Sequence, residues 1–342
     1  MGEKRRMKKE RRAFALLGLA VLLLFLGSFL LGRYPVGPAT LGKILLSRVV
    51  EVPKTWTDGA EAALFQMRLP RVVSAALVGG ALAAAGAVYQ GLFRNPMVSP
   101  DILGASSGAG FGAALAIWLS AGHFTIVLSA FAAGMCAVLL AYALGRASRM
   151  EGTLSMVLSG MMVSSLFAAA TSFLKLTADT DEVLPAITYW LMGSLSGVRP
   201  ADVPFLAVPV LAGAAVLFAL RWRLNLLTVS DEEAGSMGVN VRRLRAVVIV
   251  CATLMTAASV SVAGLIGWIG LVIPHFCRLL FGYDYRRLLP AALLMGAGFM
   301  IAVDDVARLL LASEVPIGIL TAFVGAPVFA WLILTGGGRH VP

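Results

Sequence analysis

Arg68-Leu-Pro-Arg71, an apolar run rich in Gly and Ala to Gly91, then Arg94-Asn-Pro96 and Gly104-Ala-Ser-Ser-Gly108-Ala-Gly-Phe-Gly112 follow one another in residues 68–112. The run is hydrophobic enough to lie in lipid, and its small side chains let helix backbones approach closely. Pro96 has no amide hydrogen to give a helix, so the helix must end near Arg94. A membrane helix broken in this way is expected to line a solute pathway.

The rest of the chain fits a bilayer. Of 342 residues 59% are hydrophobic and only 13% charged, against roughly 25% charged in a soluble domain; the mean hydropathy is +0.88. Apolar runs of about 20 residues recur along the whole length. They leave no polar stretch for a soluble catalytic domain. Backbone groups in hydrocarbon must bond internally, and the short alternating segments of a barrel are missing. The expected fold is therefore an all-α polytopic membrane protein. Membrane topology, not nucleic acid, then accounts for the net charge of +10. Cys136, Cys251 and Cys277 sit in apolar runs without CxxC spacing and read as packed thiols.

Residues 1–12 form a basic tail with Lys4, Arg5, Arg6, Lys8, Lys9, Arg11 and Arg12. The run 13–32 is long for a signal-peptide core and ends in no small-x-small site, so it reads as the first span. Residues 33–67 hold Pro35, Pro38 and Pro53 and are expected outside, partly helical against the surface. Further spans are expected at 69–92, 103–121, 124–146, 153–175, 203–221, 246–264, 267–281, 288–309 and 323–336. That makes ten crossings, with both termini, including the tail 337–342, in the cytoplasm. Residues 246–281 are too long for one span and short for two, so one of that pair should be short or tilted. Gly264, Gly267, Gly270 and Pro274 are the candidate break points. Residues 185–198 and 316–322 read as outer half-helices that do not cross. Of the 28 Lys and Arg, only Arg33, Lys43, Arg48, Lys54, Arg68, Arg71, Lys175, Arg199 and Arg308 fall outside, in keeping with the positive-inside bias.

No Gly-x-x-x-x-Gly-Lys-Ser/Thr loop is present, and Gly336-Gly-Gly338 has no following Lys, so the chain is not expected to bind ATP itself. His123, His275 and His340 are far apart and make no ligand pair. Asp304 lies four residues before Arg308, which reads as an ion pair along one helix. With no carboxylate relay in the spans, a proton-driven carrier lacks its parts. Gly104, Gly108 and Gly112, and again Gly318, Ala322, Ala326 and Ala330, recur at four-residue spacing, chiefly for packing. The insertion Asn225–Arg245 is the largest polar one predicted inside. Asp231, Glu232 and Glu233 suit the first turn of a short helix begun near Ser230, which Gly238 ends. Asn240 can cap a second helix, so residues about 229–245 read as a docking element for a soluble partner.

Several segments occur in a fixed order: Arg68-Leu-Pro-Arg71, Gln90-Gly-Leu-Phe-Arg-Asn-Pro96, Ile102-Leu-Gly-Ala-Ser-Ser-Gly-Ala-Gly110 and Tyr189-Trp-Leu-Met-Gly-Ser-Leu-Ser-Gly197. Glu233-Ala-Gly-Ser-Met-Gly-Val239, Gly270-Leu-Val-Ile-Pro-His275, Pro316-Ile-Gly-Ile and Gly325-Ala-Pro-Val-Phe-Ala-Trp331 continue the series. Together they resemble the permease family of ABC importers for iron–siderophores, haem and vitamin B12. The resemblance implies a type II importer permease fold of ten transmembrane helices, forming a single permease domain over 13–336. It also implies a homodimer with the pathway at its two-fold interface, in a prokaryotic cytoplasmic (inner) membrane. Two cytoplasmic ABC ATPase subunits and an extracytoplasmic substrate-binding protein are the implied partners, besides lipid. No catalytic residue, cofactor or metal ligand is implied in this chain, since ATP hydrolysis falls to the ATPase subunits.

The same resemblance assigns roles residue by residue. Arg68, Arg71 and Arg308 would dock carboxylates of the binding protein. Asn95, Met97, Thr153, Leu154 and Ser155 would form the cytoplasmic gate. Ser159, Ser164, Ser165, Thr171 and Ser172 would line the pathway, and Asp231, Glu232, Glu233, Ala234, Gly238, Val239 and Asn240 would couple to the ATPase. His275 follows a proline also in members with other cargo, which implies a structural role. A ferric siderophore leads the expected cargoes, followed by haem, cobalamin and an oxyanion such as molybdate. The alternatives are a stand-alone secondary carrier, or a membrane sensor or scaffold.

Overall fold

Away from water, a helix is the one local structure that satisfies its own backbone, and helices dominate the chain. The computed structural model describes residues 2–32, 34–51, 53–149, 153–229 and 231–336, with side chains of 2–8, 231, 333, 335 and 336 outside that description. No strand occurs among the described residues. The tail 337–342 and Ser230 lie outside them, as does Arg33.

In chain order the helices are α1 (Gly2–Ser28), α2 (Pro38–Leu46), α3 (Asp58–Ala62), α4 (Leu69–Leu92), α5 (Ala105–Trp118), α6 (His123–Ala147) and α7 (Thr153–Thr177). Then come α8 (Val183–Leu191), α9 (Asp202–Ala219), α10 (Asp231–Ser236), α11 (Val241–Ala263), α12 (Ile269–Phe281), α13 (Tyr285–Leu309) and α14 (Ile317–Gly336). A π-turn over Ala63–Arg68 joins α3 to α4, so Asp58–Leu92 runs as one helix of 35 residues.

Each of the ten predicted spans falls on a helix, but they are not alike. Seven are long and apolar enough to cross a membrane: Lys9–Ser28, Asp58–Leu92, His123–Ala147, Thr153–Thr177, Asp202–Ala219, Val241–Ala263 and Tyr285–Leu309. The other three predicted spans fall on α5 with 14 residues, α12 with 13, and α14, whose apolar part Ile317–Leu332 is also short. At 1.5 Å per residue α12 is about 20 Å long, less than the roughly 30 Å of hydrocarbon. The overlong apolar stretch does break, at Gly264–Trp268, and α12 is the short member of the pair.

Local differences have local causes. Residues 2–12 are helical, so the basic tail continues into the first span, which stops at Ser28 and not at 32. Residues 316–322 form no separate half-helix, because α14 starts at Ile317 and runs on through them. The second cytoplasmic helix expected at Asn240 is the first turn of α11, which continues unbroken to Ala263.

The bundle is built around α4, which is buried along nearly its whole length. Glycine makes this possible. A methyl group at Gly79 would stand 2.2 Å from the Gly296 carbonyl oxygen of α13, and one at Gly86 would stand 1.8 Å from that of Gly270 in α12. Gly108 and Gly112 of α5 press in the same way on Ala133 and Ser129 of α6, so that repeat is packing as expected. One end of the bundle is tied by Arg94 Nε donating to the Leu227 carbonyl (3.1 Å) and Asn225 Nδ2 to Asp284 Oδ1 (3.0 Å). The short helix α10 projects from this end, because its neighbours in chain are the 3-10 turn Arg223–Leu227 and the start of α11.

Candidate functional site

At the opposite end, the π-turn before α4, the start of α4, the last turns of α13 and the connection from α13 to α14 bring six charged residues together. Arg71 donates to Asp304 through Nε (2.9 Å to Oδ1) and to Glu314 through Nη1 (2.9 Å). Arg308 sits 3.2 Å from Asp304 at Nε, as the four-residue spacing predicted, and also pairs with Asp305 and donates to Ser28 Oγ at 2.6 Å. Arg68 reaches back to the carbonyls of Phe29 (2.6 Å) and Tyr34. Arg71 and Arg308 therefore meet three carboxylates, while Arg68 is satisfied by backbone carbonyls, as buried charges require.

Arg68, Arg71 and Arg308 do not stand free at a rim: their exposures are 5%, 8% and 6%. Their guanidinium groups are held by acids and carbonyls of the same chain. The acids were visible in the sequence, but Glu314, 243 residues from Arg71, carries no local signal of its partner.

At the α10 end, α4 stops in a left-handed turn. Arg94 has φ +50°, Asn95 N–H returns to the Gln90 carbonyl (3.0 Å) and Arg94 N–H to that of Gly91 (3.2 Å). This is the closing pattern usually reserved for glycine, with Pro96 following to prevent continuation. Asn95 and Met97 are exposed, and Asn95 Oδ1 accepts from Met97 N–H at 2.9 Å. Leu154 is exposed and Thr153 half-buried, whereas Ser155 is buried and donates to the Gly145 carbonyl at 2.7 Å.

The hydroxyls of α7 do not share one face. Ser159 and Thr171 are buried, with Thr171 bonded to the Phe167 carbonyl (2.8 Å), and Ser164 packs beside Gly104. Ser165 and Ser172 are exposed, among Leu158, Met161, Met162, Leu166 and Phe173. Of the residues expected in a hydroxyl-lined wall, Ser159 and Thr171 pack inside the subunit. Ser155 and Ser159, four apart, share the face that α5 and α6 cover, whereas Thr171 is buried nearer the other end of the helix.

A junction missed by the sequence reading joins α8, α11 and α14. Ser194 N–H donates to the Ala263 carbonyl (2.8 Å), Ile317 N–H to that of Gly193 (2.8 Å) and Gly318 N–H to that of Met192 (3.1 Å). Gly193 and Gly264 have φ of +73° and +70°, and a methyl at either would stand 2.4 Å from a carbonyl oxygen. Trp268 also has φ +70° and lies against Gly325 of α14. Beside the junction is an open cavity of about 620 Å³ whose apolar wall includes Leu265, Trp268, Gly318, Ala322 and Ala326. The small-residue stripe of α14 therefore packs at Gly318 but lines open space at Ala322 and Ala326.

In the insertion, Ala234 of α10 is buried while Glu232 and Glu233 are exposed. The side chain of Asp231 lies outside the described residues. Gly238 (φ +77°) ends α10, half-buried Val239 returns its N–H to the Ala234 carbonyl (3.4 Å), and Asn240 Oδ1 caps α11 by accepting from Arg243 N–H at 3.0 Å. No cluster of His, Cys, Asp or Glu able to hold a metal occurs among the described residues.

Broken spans, a short helix between α9 and α11, and a helix core threaded on glycine fit the permease class of ABC transporters. The same arrangement is found in a metal-chelate type ABC transporter solved in an inward-facing conformation. The likeness has a TM-score of 0.84 at 38% identity and covers 95% of this chain and 99% of that one. The chain belongs to the FecCD transport family, whose profile matches residues 19–335. It is 39% identical to the molybdate import system permease protein MolB of Haemophilus influenzae, over 95% of this chain and 97% of that relative. It is 44% identical to the cobalamin import system permease protein BtuC of Halobacterium salinarum (82% and 75% covered). It is 36% identical to the hemin transport system permease protein HmuU of Yersinia pestis (87% and 91% covered). This chain is thus a multi-pass membrane transport component, the permease subunit of an ABC importer.

Proposed function

We propose that two copies of this chain enclose a gated conduit in a prokaryotic inner membrane and import a metal chelate by alternating access. An iron–siderophore complex, haem or cobalamin is the cargo class. The observation that carries the reading is likeness along almost the whole chain to import permeases, joined to an extramembrane helix where a partner can push. ATP hydrolysis lies on two separate ATPase subunits, which grip α10 through Glu232, Glu233 and the turn at Gly238. Asn95, Met97, Thr153 and Leu154 form the inner gate, and the exposed face of α7 with Ser165 and Ser172 looks onto the conduit. An extracytoplasmic binding protein delivers cargo at the end held by Arg68, Arg71 and Arg308. These arginines shape that surface through the loops they pin, while Glu314, 24% exposed at its side chain, is the acid of the cluster most open to solvent. Both termini face the cytoplasm. A second cargo, molybdate, has a specific observation in its favour: the similarity to MolB spans 97% of that relative.

The test is uptake into proteoliposomes holding this chain, its ATPase and its binding protein. ATP-dependent accumulation of one cargo is expected, and uptake without the ATPase would instead identify a secondary carrier.

A further inference from the structure

The end of the bundle away from α10 holds a second cavity, of about 500 Å³, which no part of the transport reading uses. It opens between the α5–α6 turn, α8 and the last turn of α11. The α5–α6 turn and the end of α11 are ends of spans and α8 does not cross, so the cavity lies at the depth where hydrocarbon meets water. Tyr189 and Trp190 on its wall are the residue types that favour this level.

The cavity has two chemically different parts. Its floor is apolar, with Ile117, Ile126, Val127 and Val262. Within the adjoining turn Leu119 and Phe124 are 62% and 60% exposed, which leaves a sideways approach from lipid. The rim is polar. Glu182 lies on it, exposed, and no cation pairs with its carboxylate among the described residues. Asp179 and Asp181 precede it in the chain, with Asp179 Oδ2 accepting from the Glu182 N–H at 2.8 Å. Across the rim Ser194 Oγ donates to Ser196 Oγ (2.9 Å), and Tyr189 Oη lies 3.4 Å from the same oxygen, a cluster of hydroxyls able to donate to an anion. His123 Nε2 is held at 2.8 Å by buried Asp202, which fixes the edge of the mouth.

We propose that this cavity binds one amine-bearing phospholipid from the surrounding leaflet. Its acyl and glycerol part fills the apolar floor, its ammonium meets Glu182, and its phosphate accepts from the hydroxyls of Ser196 and Tyr189, with Ser194 Oγ orienting Ser196 by donating to it. The volume suits a head group with the start of two chains. A lipid with phosphate but no amine would bring a lone negative charge beside Glu182 and is disfavoured.

The full chain, released from nanodiscs of equimolar phosphatidylethanolamine and phosphatidylglycerol, is examined by native mass spectrometry. Wild type is expected to retain one phosphatidylethanolamine and at least fivefold less phosphatidylglycerol. Glu182→Gln should lower phosphatidylethanolamine retention at least threefold, and Ala186→Trp, which fills the mouth, at least tenfold. Both positions are exposed, so folding should be retained. Equal retention of the two lipids, or unchanged retention in Ala186→Trp, overturns the proposal. So does amide protection of Tyr189 and Ser196 by an added binding protein with no lipid retained, which would assign the cavity to protein docking.

Discussion

Asp304 is the residue on which the outer charge cluster turns, since Arg71 and Arg308 both rest on it and its side chain is 1% exposed. Asp304→Asn leaves two guanidinium groups short of a shared counter-charge, and breaking a buried pair costs about 3–5 kcal/mol. A large fall in thermal midpoint in detergent is expected, and a midpoint within one degree or so of wild type would deny the cluster its structural weight. Asp284, outside the spans, makes a contrasting case. Burial alone would raise its pKa, but hydrogen bonds from Arg286 and Asn225, with the Arg286 charge, outweigh that and hold it at about 2. A depressed carboxyl stabilises the fold above its ordinary value near 3.8 and loses that contribution as pH falls toward 2. Asp284→Asn should therefore flatten the acid limb of stability between pH 3.8 and 2, measured by unfolding at fixed detergent. Gly86 is limited by space, not charge: an alanine there meets the Gly270 carbonyl at 1.8 Å. Forcing α4 from α12 should cost about 1–3 kcal/mol or more.

Among the elements, α10 carries the clearest consequence for transport. Its exit at Gly238 requires a positive φ, and there is open space around the position. Gly238→Ala therefore costs about 1–2 kcal/mol through backbone conformation alone, without a clash. Assembly with the ATPase should survive while uptake per ATP hydrolysed falls, and unchanged coupling would reduce the insertion to a spacer. The α8–α11–α14 junction behaves differently. Its glycines are fixed by three interlocking backbone bonds, so motion of α14 must carry the end of α8 with it or break those bonds. The sequence offered a partial sign of this, Gly264 and Gly267 in an overlong apolar run, but nothing in it paired Gly264 with Gly193.

For the whole molecule, α10 and the α2–α3 region project from opposite ends. On a Cys136→Ser background, needed because Cys136 is exposed, a cysteine at Ser236 and one at Val49 (84% exposed) should react with impermeant maleimide from opposite faces of oriented vesicles. Labelling of both from one face would undo the topology. The purified assembly should weigh as two copies with two ATPase subunits, and a stable, transport-competent single copy would remove the shared conduit.

Hydropathy and breaker residues determined the membrane bundle, the positions of its spans and the short helix after Ser230. These are properties of windows of neighbouring residues, and lipid enforces them locally because a backbone there can satisfy itself only as helix. Which face each helix buries was not set at that range. Ser155 and Ser159 turned inward while Ser165 and Ser172 stayed out, because α5, α6 and the turn Pro100–Leu103 cover one side of α7. The Asp304–Arg308 pair was readable from its spacing, but the partners of Arg71 and Arg68 come from segments far along the chain. Only the folded bundle, by excluding water there, made pairing with Asp304, Asp305 and Glu314 obligatory.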